Sequence, residues 1–214
     1  MRRALLAEFI GTLILVASGI GAGIMGTNMA PGLPGLTLLA CSITTGLILY
    51  LLITIFGPES GAHLNPAVTA YFMLRREVGW SALAYPPVQI AGAFAAVLLT
   101  HAMFDLPLVQ VAQTHRSSVG LLLSEGVATF GLMLTIAGGQ RHAPAQVPAL
   151  VGAWIASAFW FTGSASFANP AVTFARIFTD TFTGIHPADA PSYVLAELAA
   201  ALFAATAVGK LFPR

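Results

Sequence analysis

The pentapeptide Asn-Pro-Ala-Val-Thr occurs twice in this sequence, at Asn65–Thr69 and Asn169–Thr173, 104 residues apart in a chain of 214. Each copy stands between long apolar runs, so any fold must give both the same surroundings. Runs bounded by Gly, Pro and charges lie near 4–25, 36–56, 81–103, 118–138, 147–163 and 191–211. A run of about 20 such residues crosses a hydrocarbon layer about 30 Å thick. Only 8% of residues are charged and 57% are hydrophobic, whereas soluble domains carry about 25% charged residues. The chain therefore reads as one all-α membrane domain, residues 1–214, with short loops.

Each half, residues 1–105 and 117–214, holds three spans and one pentapeptide. Three is odd, so the halves enter the membrane from opposite sides, as an inverted 3+3 repeat. A second correspondence supports this: Glu8 in Ala-Glu-Phe-Ile-Gly-Thr and Glu125 in Ser-Glu-Gly-Val-Ala-Thr-Phe occupy matching places in the first span of each half. The first run, preceded by Arg2-Arg3, also has the outline of a signal peptide. Glu8 inside it, its spanning length and the lack of a cleavage site favour a membrane helix. Six spans place Arg2, Arg3, Arg75, Arg76, Arg141, Lys210 and Arg214 on one side and Arg116 and Arg176 on the other. Positively charged loops stay inside, so both termini are expected in the cytoplasm.

The pentapeptide carries a local structural instruction. Asparagine is a favoured N-cap, and proline suits the first helical turn, where its missing N–H costs nothing. Asn65 and Asn169 are thus expected to start helices over Pro66 to about Leu74 and Pro170 to about Phe178. Each is about 15 Å long at 1.5 Å per residue, so two re-entrant half-helices together span one bilayer. Inversion makes their N-termini meet near the midplane, with two positive dipole ends facing one path. If each asparagine oxygen caps its own helix, its NH₂ is free to donate into that path. The flanking Gly57, Gly61, Ala62 and Gly163, Ser164, Ala165 are read as extended approaches, and Glu8 and Glu125 as acceptors that brace these loops.

Other chemistry is thinly represented. A net charge of +1 offers no basic face for nucleic acid. Cys41 is the single cysteine and reads as packing. His101, His115, His142 and His186 show no metal-ligand spacing, so neither a metal nor a cofactor is expected. No nucleophile–base or metal cluster points to an enzyme. Gln89 reads as an interhelical hydrogen-bonding group, and nothing decides Glu197. A proton-coupled transporter also uses inverted repeats and intramembrane glutamates. Such a transporter needs a titratable pair at its substrate site, whereas Glu8 and Glu125 are placed to brace loops.

Ser60-Gly61-Ala62-His63-Leu64-Asn65-Pro66-Ala67-Val68-Thr69, with Asn169-Pro170-Ala171 and Ala7-Glu8-Phe9-Ile10-Gly11-Thr12, resembles the aquaporin, or major intrinsic protein, family. The resemblance covers essentially the whole chain. It implies six helices plus two half-helices, passive conduction of water or small neutral solutes, and homotetramers in the cell (inner, plasma) membrane with one pore per subunit. It also implies that Asn65 and Asn169 mark the pore midplane and that His63 lies on a pore-lining loop.

One departure is conspicuous. Most members place an arginine directly after the second Asn-Pro-Ala, and this chain has Val172. Counting back by the family's spacing puts the other selectivity-filter positions on Thr45, Ser157 and Ser166. Thr45, Ser157, Ser166 and Val172 imply a wide, uncharged opening, unless Phe159, Trp160 or Phe161 turns inward. Arg176, one turn beyond Val172, either sits at the pore mouth or pairs with Asp180. The stretch Gly163-Ser164-Ala165-Ser166-Phe167-Ala168-Asn169-Pro170-Ala171-Val172-Thr173-Phe174-Ala175-Arg176 is similar to a bacterial subgroup without the filter arginine that is linked with arsenic handling. Glycerol-like polyols and neutral arsenite, As(OH)₃, are therefore expected beside water, with an ordinary water channel as the alternative.

Overall fold

The computed structural model describes residues Met1–Phe212; Arg214, counted above for orientation, lies outside them. Among the described residues the regular structure is all helical. Six long helices are apolar enough to span a membrane: α1 (Arg2–Met29), α2 (Pro34–Ser60), α4 (Tyr85–Met103), α5 (Val119–His142), α6 (Val147–Phe161) and α8 (Ala190–Leu211). Two short helices, α3 (Pro66–Leu74) and α7 (Pro170–Arg176), follow the two asparagines. An even number of crossings puts both termini on one face of the molecule. The ends of α2 and α7 differ from expectation. The helix α2 runs through Gly57 and Pro58 to Ser60, and α7 stops at Arg176 rather than near Phe178.

Close helix crossing holds the bundle together, because lipid tails offer no hydrophobic driving force between helices. At the crossing of α2 and α6 the backbones of Gly46 and Gly152 meet; a Cβ on Gly46 would lie 2.9 Å from the Gly152 carbonyl. Ser42 Oγ donates to the Ala156 carbonyl at 2.8 Å beside it. Any larger residue at Gly46 separates the two helices. The lipid-facing surfaces remain apolar, with Leu47, Trp80, Leu195 and Phe203 all more than half exposed.

The half-helices sit at membrane depth, where open backbone must be buried or line a wet cavity. Their approach loops are not extended. Ala62, Leu64, Ser166 and Ala168 all adopt left-handed backbone, with φ of 46°, 49°, 51° and 49°. Ser166 and Ala168 lie 104 residues beyond Ala62 and Leu64, so the repeat extends to the backbone dihedrals themselves.

Candidate functional site

The site is built on the two caps. Asn65 Oδ1 accepts the Ala67 N–H at 2.8 Å, and Asn169 Oδ1 accepts those of Ala171 at 3.0 Å and Val172 at 3.4 Å. Each side-chain amide also reaches across the pseudo-twofold axis. Asn65 Nδ2 donates to the Ala168 carbonyl at 2.7 Å, and Asn169 Nδ2 donates to the Leu64 carbonyl at 2.8 Å. The NH₂ groups are thus not wholly free. One hydrogen of each locks the opposing loops together, and the second is left for the path.

Buried carboxylates hold the loops from behind. Glu8 Oε1 accepts Ser60 Oγ at 2.6 Å and the His63 N–H at 2.9 Å; its Oε2 accepts the Leu64 N–H and Gln89 Nε2, both at 2.7 Å. Glu125 accepts the Phe167 N–H at 2.9 Å and the Ala168 N–H at 2.7 Å. Glu197 takes two further donors, accepting the Asn169 N–H at 3.1 Å and the Thr173 hydroxyl of α7 at 2.7 Å. Glu197, which the sequence left undecided, is therefore part of this support. Among the described residues none of these backbone donors has another partner, so the glutamates satisfy groups that would otherwise stand unpaired at this depth.

A cavity enclosing about 110 Å³ runs past both asparagines, from Gln140 and Val147 near the termini face to Arg176 toward the other. His63, Thr45, Ser166 and Val172 line it. His63 is fixed by three contacts: Nδ1 lies 3.0 Å from Thr69 Oγ1, its ring stacks on Phe72, and Tyr85 meets it edge-on. The Thr69 hydroxyl donates to the Asn65 carbonyl at 3.1 Å, which assigns Nδ1 as the donor and leaves Nε2 an acceptor. Among the described residues Thr45 Oγ1 and Ser166 Oγ have no protein partner. Such hydroxyls are costly unless water or solute bonds to them.

Ser157, counted above as a filter position, does not line the cavity. It is exposed on α6. The cavity face of α6 is Val147, Val151, Ile155 and Phe159, a run of four-residue steps. Ser157 is two residues off that run and points about 200° away. Phe159 turns inward and is buried, whereas Trp160 and Phe161 are more than half exposed.

Arg176 lines the cavity and is 6% exposed. Its guanidinium lies 4.0 Å from the centroid of the Phe167 ring and has no hydrogen-bond partner among the described residues. Asp180 is engaged elsewhere, accepting the Gln113 N–H at 3.0 Å. Gly19 of α1 faces it: a Cβ there would meet Arg176 Nη2 at 3.8 Å and Thr45 Oγ1 at 3.9 Å, ordinary contact distances. The cavity thus contains a guanidinium after all, supplied one turn beyond the usual position.

Six spans enclosing a path between two capped half-helices define a multi-pass membrane channel for small solutes. The pattern described as Major intrinsic protein matches residues 1–166. The chain is 48% identical over 205 residues to "Aquaglyceroporin AqpS" of Rhizobium meliloti (strain 1021), covering 95% of this chain and 88% of that one. It is 34% identical over 146 residues to "Probable aquaporin NIP4-2" of Arabidopsis thaliana, covering 64% of this chain and 49% of that protein. Among solved structures, the aquaglyceroporin from Plasmodium falciparum superposes with a TM-score of 0.74 at 19% identity, covering 99% of this chain and 98% of its own. The chain belongs to the major intrinsic protein family, whose members are channels and not enzymes.

Proposed function

We propose that the chain forms a passive pore for small uncharged hydroxylated solutes: water, glycerol-like polyols and neutral metalloid hydroxides such as arsenite. The observation that carries this reading is the composition of the cavity wall. It combines donors and hydroxyls from Asn65, Asn169, Thr45, Ser166 and Arg176 with the apolar side chains of Leu15, Val68, Ile155, Phe159 and Val172. A polyol has a hydroxyl edge and a carbon edge, and this wall suits both. Thr45, Phe159, Ser166, Val172 and Arg176 make the filter, with Val172 giving width where a nearer arginine would close it. Two half-helix N-termini and Arg176 oppose the passage of cations and protons. The relative named as an aquaglyceroporin supports polyol conduction.

The pore belongs in the cell (inner, plasma) membrane with both termini cytoplasmic, following the arginine and lysine count. Subunits associate as homotetramers, one pore in each. Osmotic swelling of proteoliposomes tests the reading, with water, glycerol and arsenite as solutes and a pH-sensitive dye inside. All three are expected to pass without a proton gradient and without a dye signal. Conduction of water alone would sink the polyol reading, and strict dependence on a proton gradient would replace the channel by a transporter. Val172→Arg is expected to slow glycerol and arsenite about tenfold, equal to about 1.4 kcal/mol of barrier, and water much less.

A further inference from the structure

His115 and His186 are 71 residues apart and show no ligand spacing in the sequence, yet the fold stacks their rings with centroids 4.0 Å apart and planes 27° apart. Asp189 joins them: its Oδ2 lies 3.0 Å from His115 Nδ1. A ring nitrogen from each histidine and a carboxylate oxygen of Asp189 all fall within 4.8 Å of one another. This cluster is on the face opposite the termini, where the connection before α5 meets the connection before α8. We propose that His115, His186 and Asp189 bind one transition-metal dication of the zinc, copper or nickel kind.

The framework is set before any ion arrives. The His186 N–H donates to the Thr114 carbonyl at 2.8 Å, and the Arg116 N–H donates to Asp189 Oδ2 at 2.8 Å. Arg116 also donates through Nε to the Gly184 carbonyl at 2.9 Å and through Nη2 to that of Phe182 at 3.2 Å. Two chain segments are thereby pinned side by side, so little ordering is left for the ion to impose.

The donor set matches borderline metals. Two imidazoles and one carboxylate suit zinc, copper and nickel, whereas magnesium and calcium prefer all-oxygen sites. Zinc bonds of about 2.0–2.1 Å place tetrahedral ligands about 3.4 Å apart. His115 and Asp189 are already near that spacing, and the metal would take the place of the proton between them. His186 must come closer, and its Nδ1 is held only by the Ala188 N–H at 3.2 Å. His115 is free to adjust, since its side chain is 62% exposed. Three protein ligands leave the fourth position to water. A bound ion staples the two connections one short segment away from Arg176, whose carbonyl accepts the Ile185 N–H at 3.2 Å.

The test uses the full chain in detergent, free of any histidine tag, dialysed to equilibrium against zinc or magnesium at neutral pH. One zinc per chain and no magnesium are expected. His115→Ala and His186→Ala each weaken zinc binding by more than about tenfold, the lower bound for losing even a supporting partner, and the double variant abolishes it. His142→Ala, on the termini face, leaves it unchanged. Failure of the parent chain to bind zinc, equal binding by the double variant, or an equal loss in His142→Ala would each overturn the site. His115 is on the surface, so its replacement leaves the fold intact, and the elution profile of the purified variant checks this.

Discussion

Two stacks mark the two halves of the cavity. In the first half His63 lies against Phe72, with ring centroids 4.9 Å apart. In the second, 104 residues on, Phe167 lies under the guanidinium of Arg176 at 4.0 Å. The backbone places the same pair of positions together twice, and the side chains make one stack a neutral ring pair and the other a cation on a ring. The supports behind them differ in the same manner. Glu8 alone gathers four donors, whereas Glu125 and Glu197 take two each. An inverted repeat thus preserves where groups stand while leaving their chemistry free, and selectivity resides in that freedom.

Removing the carboxylates tests the unequal support and carries the largest effect. Glu8→Ala strands the buried His63 and Leu64 N–H groups and takes from Ser60 and Gln89 their shortest acceptor; at about 1–3 kcal/mol for each unsatisfied group, little folded protein is expected on size-exclusion chromatography. Glu125→Ala and Glu197→Ala should each lose about half as much thermal stability. Equal loss in all three variants would contradict the division of labour described for the second half.

The caps should respond alike, because their bonds match. Asn65→Asp and Asn169→Asp each keep an oxygen for the N-cap but lose the donor that reaches Ala168 or Leu64. Each also sets a carboxylate oxygen against a buried carbonyl, so a loss of at least about 1–3 kcal/mol in each, the cost of an unsatisfied buried group, is expected in thermal unfolding. Markedly different losses would show that the two crossing bonds are not equivalent.

At the stacks the prediction is asymmetric. Arg176→Leu removes the only guanidinium that lines the cavity among the described residues, and proton leak into dye-loaded liposomes should rise by about tenfold, equivalent to about 1.4 kcal/mol of barrier. Phe72→Leu in the other half should leave leak unchanged, since no charge is lost there. The smallest effect belongs to α6. Ser157→Ala should alter glycerol swelling by less than the scatter between preparations, and Phe159→Ala should quicken it severalfold. Slower glycerol entry in Ser157→Ala would return that residue to the filter.

Much of this molecule was written locally. An Asn-Pro pair starts a helix wherever it stands, because the cap and the missing N–H act within one turn. A run of about 20 apolar residues spans a bilayer whatever surrounds it. The six spans, both half-helix starts and the glutamates Glu8 and Glu125 were therefore legible from residue order alone, whereas Glu197 was not. Three features were not: the face that α6 turns to the cavity, the guanidinium of Arg176 standing within it, and the meeting of His115 with His186 and Asp189. Each depends on the rotation or register of one element against another distant in sequence. That relation is set by close helix crossings such as Gly46 on Gly152 and by bonds between the connections. No window along the chain contains it, so tertiary packing alone decided these three.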